Sequence, residues 1–209
     1  MSGDAYRWTI RQTEQQDTEQ LEALQRKVFP NLAPESIITA RHYLHHLEIF
    51  PEGQFVAIVA GRVVGMTTTM RYAFDPTPHT FQEVSGQLWL TNHRPDGDWL
   101  YGLDLGVDPD FRRQGIARGL YRARQETARR LGLSGQLTVG MLNGYHAYRQ
   151  ALSLEDYYAA VRAGTIRDPT VSVQRRLGFE IHGLMPGYLS DPTCGDSGVL
   201  MTLDIRHTL

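Results

Sequence analysis

Several residue types that mark particular classes of protein are scarce in this 209-residue chain. Cysteine occurs once, at Cys194, which excludes an intramolecular disulfide and favours a reducing compartment. The formal net charge is only −2, so no overall attraction to nucleic acid or anionic membranes is expected. No apolar run reaches membrane-spanning length, and residues 1–6 lack the apolar core of a secretory signal. We therefore expect a cytoplasmic protein that binds neither nucleic acid nor membrane.

Common nucleotide-binding and metal-binding motifs are also missing. The chain has neither the Gly-Lys-Ser/Thr of a P-loop nor a Gly-x-Gly-x-x-Gly turn. His42 and His46 are spaced i, i+4 on a predicted helix, but residue 43 is tyrosine and no acidic or cysteine ligand completes a set. We therefore predict no metal site and a solvated face for His42, His45 and His46. Cys194 has no adjacent histidine that would activate a catalytic thiol.

The strongest positive feature is a strand, a turn and a helix in the middle of the chain. Residues 99–107 form an apolar strand pattern, and residues 115–131 carry an apolar stripe at helical spacing. The first N–H groups of a helix lack intrahelical partners and lie at the positive end of its dipole. A phosphate binds there if no bulky side chain blocks the approach, and Gly115 and Ala117 are small. Guanidinium groups suited to phosphate come from Arg112, Arg113 and Arg118.

Residues 107–117 resemble the acetyl-CoA signature of the GNAT superfamily of N-acetyltransferases, Arg/Gln-x-x-Gly-x-Gly/Ala after a strand. Here the signature reads Arg112-x-x-Gly115-x-Ala117. Two further landmarks follow the family's order, an opening strand and helix over residues 10–24 and a Leu-Gly-Phe at residues 177–179. The resemblance implies one α/β domain over residues 1–209, with a mixed, mostly antiparallel, splayed sheet flanked by helices.

The resemblance also implies an acetyl-CoA site. The backbone amides of residues 113–118 would hold the pyrophosphate, and pantetheine would fill the gap beside the signature strand as a pseudo-strand. A glycine at position 106 supports this role, because glycine in a strand often marks a bulge or a close approach. The residues assigned to the cofactor are Leu105, Gly106, Val107, Arg112, Arg113, Gln114, Gly115, Ile116, Ala117 and Arg118.

Two residues are the candidates for catalysis. Asp104 is similar to the acidic residue that many family members carry here. It would deprotonate an amine directly or through water, or would bind a cationic amine electrostatically. Pairing of this carboxylate with a structural arginine is the alternative. The family tyrosine that protonates the departing thiolate has its counterpart at Gln174, which cannot act as an acid. The candidate replacements are Tyr145, Tyr148, Tyr157, Tyr158 and Tyr188, with Tyr188 preferred, and solvent is a further source of the proton.

Residues 143–169 depart from the usual family path as an insertion before the last family helix. It contains a helix-like run over residues 154–163, with Ser153 as N-cap and Gly164 as terminator. The insertion is similar to that of acetyltransferase domains that are sometimes joined to carbon–nitrogen hydrolases.

Elsewhere the sequence predicts a helix over residues 35–50 and a long loop over residues 73–98 with a short strand at residues 88–90.

The resemblance implies transfer of an acetyl group from acetyl-CoA to a primary amine by direct attack in a ternary complex, because no suitable nucleophile for an acyl-enzyme is present. The acceptor is expected to be a small-molecule or peptide amine, and a homodimer is compatible with the family. The alternative function is a non-catalytic acyl-CoA-binding sensor, which is favoured because glutamine, at Gln174, replaces the family tyrosine.

The arginine-rich surface of residues 118–130 is expected to be solvated apart from its first turn.

Overall fold

The computed structural model describes residues 7–209, so the expectation about residues 1–6 lies outside it. Within this range, seven strands form one sheet in the order β1-β2-β3-β4-β5-β7-β6. The strands are β1 (Thr9–Gln12), β2 (Phe55–Val59), β3 (Arg62–Tyr72), β4 (Trp99–Val107), β5 (Gly135–Met141), β6 (Glu180–Met185) and β7 (Gly198–Asp204). Only β4 and β5 pair in parallel, so the predicted mixed, mostly antiparallel sheet is confirmed.

Six α-helices of this range cover the sheet, namely α1 (Thr18–Val28), α2 (Ala40–Ile49), α3 (Phe81–Ser85), α4 (Ile116–Arg130), α5 (Leu154–Ala163) and α6 (Val171–Arg176). Apolar residues of α1, α2 and α3 pack together against one side of the sheet. Ile116 and Leu120 of α4 pack with β2 and β3 in a separate cluster. Helices α5 and α6 pack with β7 in a third cluster.

The predicted helix over residues 35–50 is wrong in its first part. Pro34–Ser36 is a single 3-10 turn, Ile37 is extended, and α2 begins only at Ala40. The later start follows from a capping box, in which the His42 side chain accepts a hydrogen bond from the N–H of Thr39 at 3.1 Å.

The long loop over residues 73–98 contains a helix rather than a strand. Helix α3 begins after Thr80, whose hydroxyl accepts from the Glu83 N–H while the Glu83 carboxylate accepts from the Thr80 N–H. Residues 86–90, which include the predicted strand at residues 88–90, form an irregular turn in which Gln87 and Leu88 have φ of 57° and 70°. A strand is impossible there because these residues adopt the left-handed conformation.

The expectation of a solvated histidine face is wrong at His46, which is 1% exposed. Its Nε2 lies 2.6 Å from the main-chain oxygen of Leu88, so the ring anchors the irregular turn against α2. Burial lowers the pKa of His46 to about 4, and the bond to Leu88 only partly opposes this shift.

The buried imidazole predicts a stability change in mildly acidic solution. A histidine with a lowered native pKa binds its proton first in the unfolded chain, so stability falls as pH drops from about 6.5 towards the native value. Between pH 7 and pH 4.5 we expect His46 to account for a loss of about 2–3 kcal/mol. Urea unfolding at both pH values should show a smaller loss for His46→Gln than for wild type. An equal loss in the two proteins would contradict the prediction, and His45→Gln on the same helix is the control.

The predicted insertion helix is confirmed as α5, with Ser153 as N-cap and a left-handed Gly164 at its end. The carboxylate of Asp168 ties the insertion to the core. It accepts hydrogen bonds from the Gly144 N–H at 2.9 Å and the Tyr157 hydroxyl at 3.0 Å. It also accepts from the N–H groups of Thr170 and Val171 at the start of α6. Asp168 therefore holds both ends of the insertion and α6 together.

Replacing Asp168 with alanine is expected to destabilise the protein by about 3 kcal/mol or more, because several buried donors lose a charged acceptor. Urea unfolding measures the loss, and limited trypsin digestion should cleave faster at Arg162 and Arg167. Asp156→Ala, on the exposed side of the same insertion, is the control and should change little. Equal stability of the two variants would show that Asp168 does not fasten the insertion.

Candidate active site

A gap opens in the sheet where β4 and β5 part. Their pairing runs from Trp99↔Gly135 to Gly102↔Thr138 and stops there. The Thr138 hydroxyl donates to the Gly102 carbonyl at 2.9 Å, at the point where the strands separate. Beyond it, one edge of β4 has no strand partner in the described chain, and its backbone groups face the gap. The predicted splay is therefore present between β4 and β5.

A β-bulge at Leu103 bends β4 where the gap begins. Thr68 pairs with Asp104 and Thr69 with Gly102, which leaves Leu103 as the extra residue. Gly106 does not mark this bulge. A Cβ at position 106 would lie 3.0 Å from Cγ1 of Val28 and 3.1 Å from Cε of Met66, so this glycine admits the close approach of α1.

The turn before α4 presents a row of free backbone N–H groups. No described residue accepts a hydrogen bond from the N–H of any residue from 113 to 118, whereas the next N–H, of Gly119, bonds to the Gly115 carbonyl. Arg113 and Gly115 have φ of 62° and 84°, and successive N–H groups of such a turn form a concave anion site. The side chains of Arg112, Arg113 and Arg118 are exposed around it. The site therefore suits a phosphate group.

The remaining assigned residues contribute backbone rather than side chain to this region. Ile116 and Val107 are buried in the core, and Leu105, Gln114 and Ala117 are half-buried. The side-chain oxygen Oε1 of Gln114 is buried without a hydrogen-bond partner among the described residues.

Two contacts that the sequence did not predict hold this turn in place. Lys27 donates to Asp108 at 2.7 Å and to Asp110 at 2.9 Å, so the single lysine of the chain links α1 to the turn. The indole N–H of Trp8 donates to the Gln114 carbonyl at 2.9 Å. Both partners come from distant parts of the sequence, and the turn is therefore set by tertiary contacts before any ligand binds.

The gap leads into a cleft with two different sides. Phe29 and Leu32 after α1, Phe81 of α3 and Leu189 after β6 form an apolar side. The polar lining residues are Gln25, Asp104, Tyr121, Arg124, Thr138, Asn143, Thr170, Gln174 and Tyr188. Both predicted catalytic residues, Asp104 and Tyr188, thus lie at one cleft.

The carboxyl group of Asp104 lies in the cleft on the side of α1 and α2. One oxygen accepts from the Thr68 N–H at 2.6 Å, and the other lies 3.4 Å from the Tyr43 hydroxyl. Burial raises the pKa of Asp104 above its usual value, although the bonds from Thr68 and the charge of Arg124 oppose the shift. A carboxylate with a raised pKa is the stronger base.

The expectation of a solvated arginine-rich surface on α4 is wrong at Arg124, which is 1% exposed. Its guanidinium donates to the Thr67 hydroxyl at 2.6 Å and to the main-chain carbonyl of Asp104. Gly102 leaves space for it, since a Cβ there would clash with the guanidinium. No described carboxylate lies within ion-pair distance of Arg124, so a positive charge at the cleft is held by neutral acceptors. The alternative of a carboxylate–arginine pair at Asp104 is therefore not what the structure shows.

Tyr121 of α4 is a cleft residue that the sequence analysis missed. Gln174 of α6 donates through Nε2 to the Tyr121 hydroxyl at 3.0 Å, and the guanidinium of Arg124 lies 5.3 Å from the ring centre. Oε1 of Gln174 is buried without a described partner. The sequence signal was present, because residues 117, 121 and 124 share one helix face.

Comparisons with known proteins find similar sequences and a similar fold. The model of the acetyltransferase (GNAT) family matches residues 18–150. YkwB of Bacillus subtilis (strain 168), described as an uncharacterized N-acetyltransferase, is 31% identical over 196 residues, covering 92% of this chain and 87% of YkwB. The probable hydrolase YhcX of the same organism is 36% identical over 186 residues, covering 88% of this chain and 36% of YhcX. The chain thus spans little more than a third of YhcX.

A solved structure shares most of the fold. GphF, a GNAT-like decarboxylase in complex with isobutyryl-CoA, superposes with a TM-score of 0.79 at 26% identity and covers 95% of this chain and 100% of its own. Within residues 7–209, none of the helices combines the length and the apolar character that crossing a membrane requires.

Proposed function

Because the chain belongs to the acetyltransferase (GNAT) family, we propose that it transfers the acetyl group of acetyl-CoA to a primary amine by direct attack in a ternary complex. Acetyl-CoA supplies the acetyl thioester. One observation carries the proposal. The row of free N–H groups at residues 113–118 forms an anion site, and it lies beside an edge of β4 that has no strand partner in the described chain. Such a site fits a diphosphate followed by an amide-containing arm.

The residues of the cleft supply the remaining requirements of acyl transfer. Asp104 would accept the proton of the amine, directly or through water, and its raised pKa suits this task. Arg124 and the backbone N–H groups near Leu105 would offset negative charge that develops on the carbonyl oxygen. Cys194 does not line the cleft, and burial raises the pKa of its thiol to about 12, which supports direct transfer over an acyl-cysteine.

The acceptor is proposed to be a small-molecule or peptide amine that enters along the apolar side formed by Phe29, Leu32 and Phe81. We propose in addition that the protein acts in the cytoplasm, without nucleic acid or membrane partners, as a monomer or a homodimer.

Calorimetry with acetyl-CoA and thiol release across a panel of amines test the proposal. We expect binding, together with thiol release that depends on the amine and an acetylated product in the mass spectrum. Binding without turnover on any amine would instead support the acyl-CoA sensor. Failure to bind at millimolar acetyl-CoA would remove the basis of both functions.

A second candidate function is decarboxylation of an acyl-CoA that carries a carboxylate on the carbon bonded to its thioester carbonyl. Two observations favour it, the likeness to GphF and the guanidinium of Arg124 at the cleft without a carboxylate partner. Loss of CO₂ breaks a carbon–carbon bond, leaves the electron pair on the carbon beside the thioester, and ends with a proton from solvent. A nearby guanidinium would offset that negative charge.

Incubation with malonyl-CoA and methylmalonyl-CoA distinguishes the two functions. Formation of acetyl-CoA or propionyl-CoA in the absence of any amine, abolished in Arg124→Met, would favour the decarboxylase. Unchanged substrates would leave the transferase as the supported function.

A further inference from the structure

Only some tyrosines of the chain are placed to donate a proton at the cleft. Tyr145, Tyr148, Tyr157 and Tyr158, four of the sequence candidates, do not line it, and the Tyr157 hydroxyl donates to Asp168. Among the described residues, Tyr121 and Tyr188 are the tyrosines that line it. The Tyr188 hydroxyl lies 3.2 Å from that of Tyr101, and the main-chain carbonyl of Tyr188 accepts from the Phe81 N–H, so Tyr188 is a polar residue next to the apolar side.

Tyr121 lies on the wall that leads from the anion site to the base. Helix α4 starts beside the end of β4. Val107, the last residue of β4, pairs with Gly65, and a Cβ at Gly65 would contact Ile116, the first residue of α4. Eight residues later Arg124 reaches Asp104 and Gly102. A helix rises about 1.5 Å per residue, so the anion site and Arg124 lie roughly 12 Å apart along α4. Tyr121 lies between them on the same helix.

The hydrogen bonding of Tyr121 leaves its proton available. The hydroxyl oxygen accepts from Nε2 of Gln174, and no described residue accepts its O–H. Gln174 is itself 3% exposed, and Gly140 of β5 leaves room for its amide. Gln174 therefore holds the phenol without consuming the proton. Burial raises the pKa of Tyr121, so the phenol holds its proton at neutral pH, and the charge of Arg124 beside the ring and the bond from Gln174 oppose only part of that shift.

We propose that Tyr121 is the acid that protonates the departing sulfur, with Gln174 as its positioning residue. This inference rests on the proposed acetyl transfer. As the amine nitrogen bonds to the carbonyl carbon, the carbon–sulfur bond breaks and its electron pair stays on sulfur. The Tyr121 proton moves to the sulfur, and the phenolate regains a proton from solvent. The hydroxyl that the family carries on the helix of Gln174 is thus supplied here by the facing helix.

Equilibrium binding tests the contact without relying on turnover. Calorimetry compares coenzyme A with desulfo-coenzyme A, which lacks the sulfur. If Tyr121 donates to the sulfur, wild type should bind coenzyme A about 3–10-fold more tightly than the desulfo compound. In Tyr121→Phe this ratio should fall to about one. Tyr158→Phe, which removes a hydroxyl outside the cleft, should keep the wild-type ratio.

Kinetics test the proton transfer itself. Tyr121→Phe should lower kcat by about 100-fold with little change in the KM for acetyl-CoA, and kcat should lose its decline at alkaline pH. Gln174→Leu should give a smaller loss and keep that decline.

Different results would contradict the acid role of Tyr121 and the proposed acetyl transfer. A wild-type binding ratio or a wild-type kcat in Tyr121→Phe would overturn the role of Tyr121 while leaving acetyl transfer intact. A wild-type protein that binds coenzyme A but acetylates no amine would overturn the proposed function and the acid role with it.

Discussion

Asp104→Asn is expected to lower turnover by about 10²–10⁴-fold while coenzyme A binds with near wild-type affinity. The carboxylate is placed to take a proton from the amine, and an amide cannot do so. The carbonyl oxygen of asparagine can still accept from the Thr68 N–H, so the strand should keep its local structure.

The pH dependence makes this prediction specific. Burial raises the pKa of Asp104, so the acidic limb of kcat/KM in wild type should lie above the usual range of an aspartate. Activity should rise as pH increases through that pKa, because the base works only when deprotonated. This limb should disappear in Asp104→Asn. Wild-type rates across the whole pH range would eliminate Asp104 as the base, whereas a lowered melting temperature would indicate a structural role.

Gly115→Leu is expected to weaken coenzyme A binding by about 100-fold or more, because a side chain at the anion site displaces charged hydrogen bonds. Little else in the protein crowds this position, where the nearest atom to a new Cβ is Cζ2 of Trp8 at 3.7 Å. Calorimetry measures the affinity, and urea unfolding shows whether the fold survives.

The end of the same helix provides a matched control for Gly115→Leu. Gly132 also has a left-handed backbone, with φ of 66° against 84° at Gly115, and its Cβ would point into open space. Gly132→Leu should therefore carry a similar backbone strain without touching the anion site. If both variants bind coenzyme A alike, the loss of affinity would stem from strain, and the role assigned to Gly115 would be wrong.

The sequence predicted those parts of the fold that depend on local periodicity. Strand β4 and helix α4 have alternating and helical apolar patterns that identify them directly. Helix α3 carried its own signal in the capping box of Thr80 and Glu83, which the proline-rich surroundings obscured. The irregular turn at residues 86–90 had no such signal, because Gln87 and Leu88 rarely adopt positive φ and the contact with His46 is far away in sequence.

The interior of the site was harder to predict than the anion-binding turn. Arg124 follows Ile116 and Leu120 at a spacing of four, which places it on the buried stripe, yet its charge suggested solvent. Its burial depends on the absent side chain of Gly102 and on neutral acceptors in β3 and β4. Tyr121 and Gln174 meet across two helices, and no pattern within either helix reveals such a pair.

A crystal structure of the protein with coenzyme A is the most direct test of how this cleft works. We expect the diphosphate within hydrogen-bond distance of the N–H groups of residues 113–118, and the pantetheine arm between β4 and β5 with its sulfur near Tyr121. A diphosphate bound elsewhere, or a gap between β4 and β5 that stays filled by protein side chains, would contradict the assignment.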